Sequence, residues 1–411
     1  MHCKGAELTM AVSQAGGASA KPLAGIRVLE FGQIAAGPFA GSLLADLGAD
    51  VVKVERPDGG DAFRSWPPLT TGPDGDVFSE NFASLNRNKR SIVADLKNVD
   101  DVAYLKQLAS ACDVVLENFR PGVLPRLGLG YNDLKQQNPG LVYCSVSGFG
   151  QSGPKAQMGA FDVTVQAFAG LMSVTGETGG KPVKCGVPVG DFCAGLYAGY
   201  TILARLMEAR QTGQGAYIDC TMIGGLIGVS ALQTSEYFGT GRAQQALGSA
   251  HPRNAPYQAF RGSDDYFVIA AGNDGLWAEV AAAAGLPHLM NDPRFATQLL
   301  RAKNQQVLAQ LLQTEFDMKT SAYWLEEMDR RGVPCAPINA YPDMLEDEQI
   351  THMNLVRPLR LPNGVETRTT AFPIAMTGFE FEIYRPPPQL GVHQKEVADE
   401  WLAEPDKGSD G

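Results

Sequence analysis

Asp191 is a lone carboxylate in an apolar, glycine-rich run, Gly186-Val187-Pro188-Val189-Gly190-Asp191-Phe192-Cys193-Ala194-Gly195. A charge in such surroundings is capped, paired or put to chemical use. Two roles fit the residue type. As the N-cap of the helical pattern that follows, Asp191 would accept from first-turn N–H groups. Its other role would be catalysis by the carboxylate itself. The segment by itself favours the cap, and the rest of the chain reverses that. Cys193 is a rival nucleophile two residues away, but it has no evident histidine partner to activate its thiol.

A group of this kind must be positioned, and the surrounding pattern reads as α/β. An apolar run, Ile26–Phe31, leads through a glycine-containing turn to a helix over about 38–47 and a second strand, Val51–Val54. Further strands are predicted at 113–117, 141–146 and 216–220. Helices are predicted at 99–111, 131–137, 192–211 and 222–238. The alternation argues for βαβ units and a mostly parallel, Rossmann-like sheet. The first turn, Phe31-Gly32-Gln33-Ile34-Ala35-Ala36-Gly37-Pro38, does not match a GxGxxG fingerprint, which disfavours a nicotinamide dehydrogenase. Its small residues still let a ligand approach the backbone.

Glycine and polar residues thicken from Gly239 to Asn254, marking a boundary. Beyond it a smaller α+β unit is expected, with a hairpin (257–261, 266–270) and helices at 275–284, 302–316 and 321–331. The division is 1–22 as a disordered tail, 23–238 with 333–400 as a large discontinuous domain, 239–332 as a small domain, and 401–411 as a frayed end.

Composition narrows the function. The 411 residues carry a net charge of −11 with no long basic run, so nucleic acid is not an expected partner. Seven scattered cysteines without a CxxC pair fit free thiols in a reducing compartment. Five scattered histidines offer no metal-site spacing. No run reaches transmembrane length, so no membrane partner is expected. Residues 1–22 lack the pattern of a secretory signal. The expected location is the cytoplasm, with the mitochondrial matrix as the eukaryotic alternative.

Leu23–Phe31, Ala36-Gly37-Pro38 and Leu47–Pro57 resemble the opening of the class III coenzyme A transferases (CaiB/BaiF), the family that includes formyl-CoA transferase. The likeness continues through Gly60-Asp61, Asn86–Ile92, Asp95-Leu96-Lys97, Val115–Gly122, Ser147–Gly150 and Gly190-Asp191. It runs on through Gly332–Pro337 to Pro388-Gln389-Leu390-Gly391. It implies an interlocked homodimer, acyl-CoA and a small carboxylic acid as substrates, and no tightly bound cofactor.

By this resemblance Asp191 is the nucleophile, forming an acyl anhydride and then an aspartyl-CoA thioester. Gln33, Ala35 and Ala36 would lie near the pantetheine arm, and Arg56 beside the adenine or ribose. Ala94, Asp95, Leu96 and Lys97 would line the nucleotide end. Asn118, Phe119 and Arg120 end a strand, where α/β folds bind ligands, and Arg126 is a phosphate candidate. Racemases of the superfamily place a histidine about thirty residues before the aspartate. Here Phe161 stands there, cannot exchange a proton, and is counted with the coenzyme contacts.

The loop Gly248-Ser249-Ala250-His251-Pro252-Arg253 replaces the glycine-rich substrate loop of formyl-CoA transferase. Its surroundings look more like succinyl-CoA:dicarboxylate transferases such as the glutarate enzyme. His251 and Arg253 would neutralise a distal carboxylate, or else the loop is a polar hinge. The leading expectation is CoA transfer from succinyl-CoA to a short dicarboxylate. The alternatives are an acyl-CoA racemase and a non-catalytic CoA-binding protein.

Overall fold

The computed structural model describes residues 21–403. Most of the expected tail, 1–22, and of the expected frayed end, 401–411, lies outside the described residues. Six strands form the main sheet: β1 (Arg27–Phe31), β2 (Asp50–Glu55), β3 (Lys89–Val93), β4 (Val114–Glu117), β5 (Val142–Ser147) and β6 (Ala216–Thr221). Their spatial order is β3-β2-β1-β4-β5-β6, and every neighbouring pair is parallel. Val28, Leu29, Val51, Val52, Val114 and Val115 are fully buried. Near-continuous β-branched runs of this kind suit strands covered on both faces. The mixed α/β architecture with a parallel sheet is the one expected.

Strand order reverses between β1 and β4. Open α/β sheets bind ligands at that point, outside the carboxyl ends of the strands. Loops from both strands emerge there.

The helices between and after these strands include α1 (Ala36–Asp46), α2 (Val99–Ser110), α3 (Asp162–Phe168), α4 (Val189–Thr212) and α5 (Met222–Val229). The expected helix 222–238 is two helices, because Ser230 leaves helical geometry (φ −90°, ψ 24°) before α6 (Ala231–Thr240) begins. The start of α4 also differs from the expected 192. It begins at Val189, directly after Pro188.

The chain divides into two compact units. The first holds the main sheet and consists of residues up to Gln166, Val187–Val229 and the segment from Met353. The second is Ala167–Gly186 with Ser230–His352. It contains a three-stranded antiparallel sheet of β7 (Tyr257–Arg261), β8 (Tyr266–Ala270) and β9 (Cys335–Pro337). Its core is aromatic: Phe316 meets Phe260, Phe267 and Trp324 edge-on at 4.8–5.3 Å. Among the described residues no helix is long and apolar enough to cross a membrane.

Candidate active site

A cavity of about 370 Å³ opens at the strand-order reversal. Gln33, Ile34, Ala35 and Ala36 line it from the β1–α1 turn, and Asn118, Phe119, Arg120 and Pro121 from the turn after β4. Val146, Ser147 and Gly148 close it at the end of β5. Met158, Gly159, Ala160 and Phe161 line it ahead of α3, with Met222 at the start of α5. Asp191 lies in its wall.

The cap reading of Asp191 is corrected by the helix start. Asp191 is the third residue of α4, Pro188 holds the cap position, and no side chain caps from there. Asp162 of α3 takes over that duty: the Gly190 N–H donates to its Oδ1 at 2.7 Å. The buried Gln166 amide donates to the other carboxylate oxygen at 2.6 Å and fixes its orientation. Gly190 leaves room for this, since a Cβ there would stand 2.9 Å from the Asp162 oxygen. Asp162 sits four residues before Gln166 on one helix face, the spacing by which it was legible, yet sequence reasoning gave it no role.

Among the described residues no donor reaches the Asp191 carboxylate. Burial, and then the negative charge of Asp162, push its pKa up to about 6. A carboxylate with that value is mostly ionised near neutral pH, poorly solvated and bare of donors, which are the properties of a nucleophile. Cys193 is no competitor: burial and Asp162 raise its thiol pKa, which keeps it protonated.

The facing turn is fastened from both sides. Gln33 N–H donates to Asn118 Oδ1 at 2.8 Å, and Asn118 Nδ2 donates back to Gln33 O at 2.9 Å. Asn118 thereby stitches the two sides of the crevice together. Helix α1 starts at Ala36 without a side-chain cap, so its first N–H groups are available for developing negative charge. Close packing brings α1 to α4: a Cβ on Gly195 would stand 2.7 Å from the Phe39 ring and 3.1 Å from Ala36 O.

Seven expected coenzyme contacts therefore share the cavity with Asp191: Gln33, Ala35, Ala36, Asn118, Phe119, Arg120 and Phe161. The others do not line it. Arg56 is exposed after β2, its Nε donating to Gly60 O at 2.8 Å. Ala94 is buried after β3 and donates its N–H to Glu55 O. Asp95 accepts the N–H of exposed Lys97, and Leu96 packs on the core under the sheet. Arg126 is exposed in the short helix Val123–Arg126. Among the described residues no group of His, Cys, Asp and Glu is placed to hold a metal ion.

The loop Gly248–Arg253 belongs to the second unit. His251 stacks on Tyr257 at 4.9 Å, and its Nδ1 accepts the N–H groups of Arg253 and Asn254, both at 3.1 Å. Those bonds require an unprotonated Nδ1, and burial with the Arg253 charge lowers the pKa as well. His251 is thus a neutral Nε2–H donor. Arg253 pairs with Glu236 at 2.7 Å. The Ser249 hydroxyl accepts from Ala259 N–H, and Gly248 holds a left-handed φ of 62°.

The chain resembles known proteins over nearly its whole length. CoA-transferase family III matches residues 23–394. A succinate–glutarate CoA-transferase of Agrobacterium fabrum is 39% identical over 92% of this chain and 94% of its own. The mouse succinyl-CoA:glutarate CoA-transferase is 37% identical over 93% and 87%. The crystal structure of a CAIB/BAIF family protein from Brucella suis superposes with a TM-score of 0.82, at 37% identity, over 92% of this chain and 99% of that one.

Proposed function

The chain belongs to CoA-transferase family III, and from that premise we propose that it moves CoA from succinyl-CoA to a short dicarboxylic acid, with Asp191 as the covalent carrier. One observation carries the mechanism. Asp191 is a donor-free carboxylate with pKa about 6, set in the wall of a cavity at the sheet's ligand-binding edge. The choice of donor and acceptor draws on the two relatives named as succinyl-CoA:glutarate and succinate–glutarate CoA-transferases.

An Asp191 oxygen attacks the succinyl thioester carbonyl, the C–S bond breaks, and CoA thiolate leaves behind an aspartyl–succinyl anhydride. The thiolate attacks the Asp191 carbonyl, releasing succinate and forming the aspartyl-CoA thioester. An acceptor carboxylate then attacks that thioester and expels the thiolate again. Thiolate attack on the acceptor's acyl carbon yields the new acyl-CoA and restores Asp191. Each tetrahedral stage places negative charge beside the uncapped start of α1, whose N–H groups stabilise it. Met222, Met158 and Phe161 give the site an apolar wall, of which Met222 is buried. Phe161 has no proton to exchange, and no histidine is among the described lining residues, which leaves transfer rather than racemisation.

The coenzyme's nucleotide end is assigned to Arg56, the 94–97 segment and Arg126. The distal carboxylate of the acceptor is assigned to the Gly248–Arg253 loop, and a homodimer is the proposed assembly. The test is chemical trapping. Wild-type protein with succinyl-CoA and hydroxylamine should yield a hydroxamate on the Asp191 peptide, and Asp191→Asn should yield none while losing roughly a thousandfold or more of its turnover. Near-normal turnover in Asp191→Asn would discard the covalent mechanism.

A further inference from the structure

Beneath the cavity wall lies a buried ionic network that the transfer chemistry does not itself use. Glu30, Lys53 and Lys89 are fully buried, and Asp61 nearly so. The Glu30 carboxylate bridges Lys53 at 3.2 Å and Lys89 at 2.7 Å. Lys53 also reaches Asp61 at 2.9 Å and donates to Gly32 O at 2.6 Å. Lys89 donates to Pro38 O at 2.8 Å. Lys53 thus ends on a carbonyl of the β1–α1 turn and Lys89 on one in the first turn of α1, on either side of the residues that line the cavity.

Within that turn, Ile34 has φ of 63°, in the left-handed region that β-branched residues avoid. Something must hold it there. The Ile34 N–H donates to both Asp61 oxygens at 3.1 Å. The same carboxylate accepts from Phe63 N–H at 3.0 Å, and the Asp61 N–H is tied to Glu55 at 3.0 Å. Burial alone would raise the Asp61 pKa, but Lys53 and these N–H groups hold it below the usual carboxylate range. The anchor is therefore an anion at neutral pH.

We infer that Asp61 is a positioning residue for transfer: fixed by Lys53, it holds Ile34 in its left-handed conformation and so sets Gln33, Ala35 and Ala36 against the reacting carboxylate. The inference rests on Asp191 being the nucleophile. A network serving only stability would need neither the Lys53 bond to the turn's Gly32 carbonyl nor a carboxylate centred on the N–H of left-handed Ile34. Asp61 touches no reacting atom; it acts through the turn.

The experiment compares the wild type with Asp61→Asn, Asp61→Glu, Ile34→Gly and the double variant Ile34→Gly/Asp61→Asn. Single-turnover hydroxamate formation on Asp191, CoA binding and melting temperature are read for each. Loosening the turn should slow adduct formation about ten- to a hundredfold in both Asp61 variants, with CoA affinity falling by less than the rate. Glycine adopts positive φ freely, so Ile34→Gly should restore much of the rate lost in Asp61→Asn. Asp61→Glu keeps the charge beside Lys53 but displaces the oxygens, and it decides the matter if Asp61→Asn does not fold.

A lowered melting temperature with an unchanged rate per folded enzyme, or no rescue by glycine, overturns the inference. Absence of a wild-type Asp191 adduct would instead overturn the nucleophile reading. Steady-state turnover of the same variants then judges the turn by itself.

Discussion

At the scale of single residues, Asp191 is an ionised group kept where ionisation is unfavourable. Its pKa rises from 3.8 to about 6 through burial and the Asp162 charge. A raised carboxyl pKa means the folded state holds the proton more tightly. The contribution of this group to folding stability is therefore greatest below pH 3.8 and is lost as pH rises through about 6. Asp191→Asn should accordingly stabilise the protein at pH 8 by about 1–3 kcal/mol, from ~1.4 kcal/mol per pKa unit discounted for partial exposure. The gain should vanish near pH 4, where both side chains are neutral. Denaturant melts at the two pH values check this, and an Asn variant less stable than wild type at pH 8 would contradict the electrostatics. On the proposed mechanism the same pKa sets the pH profile: turnover should fall with an acid limb near pH 6. Removing the neighbouring charge by Asp162→Asn, which keeps an oxygen for the Gly190 N–H, should move that limb to lower pH. A limb that stays in place would take Asp162 out of the electrostatic argument.

Among the secondary elements, the crossing of α1 and α4 is the joint most open to test. Gly195→Ala adds a Cβ that meets Phe39 and Ala36 O. The overlap should cost about 1–3 kcal/mol of stability by overpacking and part a cavity wall, Ala36, from Asp191. Turnover should drop more than the melting curve alone explains, and a fully active Gly195→Ala would show that the joint tolerates slippage. This is also the scale at which the chain was most legible. The strands around Val28, Val52, Val115 and Tyr143 announced themselves by β-branched and aromatic runs, and the hairpin strands at 257–261 and 266–270 were found to the residue. Strand β3 was missed because Lys89 and Arg90 look like surface, although both are buried by ion pairs with partners distant in sequence. The breaks at Ser230 and at Asn304, which ends the helix Gln298–Lys303, lie inside continuous helical patterns that periodicity cannot divide. Asp191 was legible as a lone carboxylate in apolar surroundings, and it lines the cavity. Its release from capping was not legible, because the substitute cap comes from Asp162, twenty-nine residues earlier. The left-handed Ile34 gave no signal either, since a β-branched residue is the last expected at such a φ.

For the molecule as a whole, the open question is which acid accepts CoA, and the second unit holds the residues proposed to choose it. His251, with Nδ1 occupied by two backbone N–H groups, offers a neutral hydrogen bond. Arg253 offers charge, but Glu236 already holds it at 2.7 Å in an exposed pair worth little. A distal carboxylate can therefore displace Glu236 at small cost. A charge-assisted bond to that carboxylate contributes on the order of 1.5–3 kcal/mol, or roughly ten- to a hundredfold in affinity. Glutarate should then be a better acceptor than butyrate, and Arg253→Ala should raise the KM for glutarate by about that factor while leaving butyrate nearly unchanged. His251→Ala should cost less, because it removes no charge and acts by loosening the turn that presents Arg253. The opposite change supplies the sharper test: Glu236→Gln removes the competing carboxylate, and the KM for glutarate should fall. Equal rates with butyrate and glutarate in the wild type, or a glutarate KM indifferent to both Arg253→Ala and Glu236→Gln, would take the loop out of substrate selection and place the choice of acid within the Asp191 cavity.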